Sequence, residues 1–83
     1  MNETERHNNF LLIADSKGHT HCDAIYAIVN DMYEAALLEL NNNLKEGSQP
    51  LIRYLLSRVK TLKDVLDLPE EGKRYRNSLE EQQ

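Results

Sequence analysis

The stretch "FLLIADSKG", Phe10 to Gly18, is an apolar run followed by a turn sequence. Asp15 at the first turn position and Gly18 at the fourth are good β-turn chemistry. A short apolar run ended by such a turn predicts a strand over Phe10 to Ala14. No second strand is evident elsewhere in the chain. A lone strand leaves its backbone N–H and C=O groups unpaired. It therefore pairs with its copy in another subunit, or lies as an extended arm over helices. Upstream, residues 1–9 are polar and predict a frayed, flexible N-terminus.

Downstream the pattern turns helical. From Thr20 to about Glu46 no Gly or Pro interrupts the chain, and alanines and leucines abound. At 100° per residue, Ile25, Ile28, Val29, Met32, Tyr33, Ala36, Leu37 and Leu40 share one side. Asn30, Asp31, Glu34 and Asn41 fall opposite. The apolar arc spans roughly 200°, wider than one neighbouring helix covers. Gly47 reads as a C-terminal cap. Ser48 or Gln49 caps a second helix, with Pro50 in its first turn, running to Leu68 before Pro69 stops it. Ile52, Leu55, Val59, Leu62 and Leu66 form a heptad seam on that helix, widened by Leu51, Tyr54, Leu56 and Val65. The remainder, residues 69–83, is charged with few apolar residues and predicts a flexible tail, with at most a short helix at Ser78 to Gln82.

Eighty-three residues make one small domain. Such a chain buries only roughly 60–65% of its unfolded surface, and small domains recover stability through disulfides, metals or association. Cys22 is the only cysteine, so no disulfide forms within the chain. A single thiol suits a reducing compartment, no segment reads as a signal peptide, and no apolar run approaches a membrane span. The expected location is cytoplasmic. The net charge of −4 argues against general nucleic-acid or anionic-membrane binding. Residues 1–49 carry eight acids and three bases, and residues 50–83 carry six acids and seven bases.

"GHTHCDAI", Gly18 to Ile25, concentrates reactive residue types. Thr20 followed by Asp23 before an apolar periodic run reads as a capping box. A metal site would draw on His19, His21, Cys22 and Asp23, joined by His7. Adjacent residues at a helix start diverge, though, and only His19 with Cys22 or Asp23 has helical pair spacing. A nucleophilic thiol at Cys22 would gain from the helix dipole and a histidine base. It lacks a residue to orient that base and any oxyanion hole. The cap is the preferred reading, with no metal, cofactor or catalytic residue assigned. Tyr26 and Tyr33 read as lining a helix–helix contact. Arg53, Lys60 and Lys63 share a face of the second helix, and "KRYR", Lys73 to Arg76, is the type of element that touches phosphate. Flanking acids dilute both, so nucleic acid is the lesser alternative.

The order "FLLIADSKG", "CDAIYAIVNDMYEAALLEL", "LIRYLLSRVKTLKDVLDL" resembles a family of short proteobacterial proteins of unknown function. The matching positions are Phe10, Gly18, Asp23, Ala24, Ala35, Leu55, Leu62 and Val65. The resemblance implies one strand followed by two helices and supplies no catalytic residue.

The expected fold is mainly α: a short N-terminal strand or arm, then an antiparallel helical hairpin that dimerises into a four-helix bundle. The dimer interface is expected at Ile25, Ile28, Met32, Leu51, Ile52, Tyr54, Leu55, Val59, Leu62 and Leu66. The expected function is a non-enzymatic protein–protein interaction module, a regulator, inhibitor or adaptor, whose partners are its own copy and another protein.

Overall fold

A computed structural model describes residues 1–82. These residues form four helices and no strand: α1 (Glu3–Ala14), α2 (Thr20–Asn43), α3 (Gln49–Leu66) and α4 (Leu68–Glu81). No helix among the described residues is long and apolar enough to cross a membrane.

The expected strand at Phe10–Ala14 is the last part of α1. The reason lies upstream, in residues read as frayed. The Asn2 side chain accepts a hydrogen bond from the Glu5 N–H at 2.8 Å, and the Asn2 carbonyl accepts from the Arg6 N–H at 2.9 Å. Glu3 and Glu5 add negative charge at the positive end of the helix dipole. A helix started at Glu3 runs on into "FLLIA" and satisfies the backbone groups that a lone strand would leave open. It ends at a turn in which the Ser16 N–H and hydroxyl both donate to the Ile13 carbonyl, at 3.1 and 2.7 Å. Gly18 follows at φ 94°, a left-handed conformation that favours glycine.

Where a charged tail was expected, the chain forms α4. Pro69 stands at the N-terminus of this helix, where its missing N–H costs nothing. Glu70 and Glu71 occupy the first turn, and each forms an i,i+3 ion pair, with Lys73 at 3.7 Å and Arg74 at 2.7 Å. Only Asp67 separates α3 from α4.

Both middle helices close near the expected places. The Gly47 N–H donates to the Asn43 carbonyl at 2.8 Å. Glycine is needed there for close approach, since a Cβ would sit 2.6 Å from that same oxygen. Ser48 caps α3, its hydroxyl accepting from the Leu51 N–H at 3.3 Å. At the start of α2 the cap moves by one residue. The His19 carbonyl accepts from the Asp23 N–H at 2.8 Å, and the Asp23 carboxylate accepts from the Gly18 N–H at 3.0 Å. Thr20 is the first helical residue instead of the expected cap.

The chain divides into two compact units. The first joins Met1–Ala24 to the segment from Asp67 onward. In it α1 packs on α4. Contacts run in opposite order along the two helices: His7 meets Tyr75, Phe10 and Ala14 meet Gly72, and, in the turn after α1, Lys17 meets Glu70. The crossing is close. A Cβ on Gly72 would lie 2.7 Å from the Ala14 nitrogen and 2.7 Å from the Phe10 carbonyl oxygen. The second unit is Ile25–Leu66, which holds most of α2 and all of α3. Its buried residues are Ala36, Leu40, Leu55 and Leu62.

Candidate interaction surface

In the second unit α2 carries two apolar stripes. Tyr26, Val29, Tyr33, Ala36 and Leu40 recur at intervals of three and four, and all are buried or half-buried. About 100° around the helix lies a second stripe of Ile25, Ile28, Met32 and Ala35. This one is exposed: Ile25 is 59% accessible, Ile28 62% and Met32 39%. The far side is polar, and the Asn30 amide there donates to the Glu34 carboxylate at 3.2 Å.

Helix α3 has one apolar seam. Leu55 is fully buried and Leu62 nearly so, while Leu51, Ile52, Val59 and Leu66 are half-buried. Tyr54 and Leu56 flank the seam and are exposed. Tyr54, Ser57, Arg58, Thr61 and Leu62 line a shallow depression of about 250 Å³. The residues expected at a dimer interface differ in exposure. Leu55 and Leu62 are buried within the chain, Leu51, Ile52, Val59 and Leu66 are half-buried, and Ile25, Ile28, Met32 and Tyr54 are exposed.

The "GHTHCDAI" residues do not converge. His19, His21 and Asp23 are exposed and Cys22 is half-buried. Among the described residues no group of three His, Cys, Asp or Glu side chains is placed to hold a metal ion.

The first unit places "KRYR" in internal contacts. Arg76 meets the Asp15 carboxylate at 2.7 Å, and that hydrogen bond and charge hold its guanidinium above the ordinary arginine value. Lys73 and Arg74 pair along α4 as described. The Tyr75 hydroxyl lies 2.7 Å from His7 Nδ1, and its ring packs on Phe10 with centroids 5.3 Å apart. The Arg6 guanidinium sits 5.6 Å from the Phe10 ring centroid. In "KRYR" the three cations thus pair with carboxylates at the surface, and the aromatic ring is packed. Beside this cluster Met1, Arg6, Asn9, Phe10, Ile13 and Leu68 line an open, largely apolar cavity of about 230 Å³.

The α1–α4 pairing, with the His7–Tyr75 contact and this cavity, was not read from the sequence. Two signals pointed to it: Asn2 followed three residues later by Glu5, and the "LPEE" of Leu68 to Glu71. Compared with protein-family models, curated proteins and solved structures, the chain matches none of them.

Proposed function

We propose that this chain is a small, acidic, non-enzymatic protein–protein interaction module of the cytoplasm, which binds a second copy of itself and another protein. The observation that carries this reading is the open stripe of Ile25, Ile28 and Met32 on a regular helix. Three large apolar side chains aligned on one helix and left in water favour a partner helix that removes them from it. Tyr54 and Leu56 add exposed apolar area on α3 of the same unit. The paired state is a four-helix bundle built from α2 and α3 of two copies.

The test compares wild-type protein with an Ile28→Glu, Met32→Glu double variant as baits in the native host's extract. The expected result is a stoichiometric protein partner retained by wild type and lost by the variant. Equal capture by the two baits, or no capture by either together with a monomeric wild type, would overturn the reading. Both substitutions fall on exposed positions, so the variant is expected to keep its helical spectrum.

A further inference from the structure

We infer that the open stripe of α2 pairs with the same stripe of a second copy, antiparallel, about a two-fold axis at residue 30. This rests on the interaction reading above and deepens it. The stripe extends one position each way, to His21 and Glu39, so that 21, 25, 28, 32, 35 and 39 alternate by four and three. Such an alternation is the seam of a coiled coil. All six residues belong to the single continuous helix α2 and all are exposed.

Folding this seam back on itself about residue 30 sets each position against its complement. Ile28 meets Met32 of the second copy, two large side chains at the centre. Ile25 meets Ala35, large against small, which lets the layer interdigitate without overlap. His21 meets Glu39, an imidazole N–H facing a carboxylate. Within the chain neither end group is engaged: no ion pair or side-chain hydrogen bond of His21 or of the Glu39 carboxylate occurs among the described residues. A parallel in-register pair would instead stack Glu39 on Glu39 and leave Ala35 opposite Ala35, with like charge at one end and a gap beside it. The complementarity therefore selects the antiparallel arrangement of two copies. Asp31 lies beside the axis and faces its own copy across it, at the solvated edge of the seam, where like charges repel only weakly.

Sedimentation equilibrium of the full chain, from micromolar to submillimolar protein, reads the association. The expected mass rises from one chain to two. Ile28→Glu is expected to weaken association at least tenfold, because a buried central layer is lost. Orientation is read by disulfide trapping in a Cys22→Ser background. Ile25→Cys and Ala35→Cys proteins, distinguishable by mass, are oxidised separately and mixed. Residue 25 of one copy lies ten residues, about 15 Å, along the helix from residue 25 of the other, too far for a disulfide. The mixture is therefore expected to give the 25–35 heterodimer while each protein alone stays uncrosslinked. Self-crosslinking of Ile25→Cys would overturn the antiparallel register and leave the interaction reading standing. A monomeric mass throughout would overturn the homotypic pairing. If the bait comparison still shows a variant-sensitive partner, the same face then serves a different protein.

Discussion

A methyl group at position 72 would meet the Ala14 nitrogen and the Phe10 carbonyl, backbone atoms that cannot swing aside. In an open helix interior Gly→Ala stabilises by about 1 kcal/mol. At this crossing, overpacking costs about 1–3 kcal/mol and the helices must also separate. Gly72→Ala is thus expected to destabilise the first unit by about 1–2 kcal/mol net, read as a lower denaturation midpoint with α1 and α4 amide exchange accelerated. A raised midpoint would mean that the helices do not approach so closely. Single residues also set the start of α2. Thr20 and Asp23 do mark a helix start, as their spacing says. Which residue turns the corner depends on Gly18 at positive φ, and residue types alone do not specify that. Because the Asp23 carboxylate holds the Gly18 N–H, Asp23→Ala is expected to cost about 0.5–1 kcal/mol and Thr20→Ala less. Thermal melts of the two variants in which Thr20→Ala proved the more damaging would restore Thr20 as the cap.

At the scale of elements, α2 and α3 were legible because long periodic patterns outvote their ends. Helix α1 was hidden for the opposite reason. "FLLIA" has no period of its own, and the turn chemistry after it fits a strand or a helix end equally. The helix is decided by Asn2, Glu3 and Glu5, which lie in a stretch whose polarity reads as disorder. Helix α4 was hidden by Pro69, which reads as a stop for α3 and works as the start of α4, and by its sparse apolar set of Leu68, Tyr75 and Leu79. Each of these two helices is too short to hold itself in water, with 12 residues in α1 and 14 in α4. Each is therefore expected to need the other. Ending the chain after Leu66 should remove the ellipticity of α1 as well as that of α4. Loss of α4's share alone in far-UV circular dichroism would show α1 to be independently stable. Asn2→Ala, which removes only the cap, should cost about 1 kcal/mol by denaturant titration.

For the molecule as a whole, the burial pattern separates the apolar residues that the chain covers itself from those it leaves exposed. The sequence presented one undivided set of ten apolar interface candidates, because a helical wheel shows width without showing which part of the arc the chain covers itself. The structure divides them: Leu55 and Leu62 go inside, while Ile25, Ile28 and Met32 remain outside. The two sets should respond differently to substitution. Leu55 is fully buried, so Leu55→Ala removes packed methyl groups and is expected to cost about 2–5 kcal/mol. In a domain whose total stability is about 5–15 kcal/mol, that is a large fraction of the whole. The loss should appear at every protein concentration, since the contacts belong to one chain. Val59, half-buried on the same seam between Leu55 and Leu62, should behave likewise on substitution by Arg, because the charge would displace packing inside the fold. Ile28→Glu, by contrast, should leave the melting temperature of dilute protein within about 2–4 °C of wild type, as exposed substitutions do. It should abolish the rise in melting temperature with concentration that pairing of two copies would give wild type through mass action. Melting wild type, Leu55→Ala and Ile28→Glu over a hundredfold range of concentration reads both effects together. If Ile28→Glu lowered the melting temperature of the dilute protein as much as Leu55→Ala does, folding and association would be one event and the single chain would not carry a core of its own.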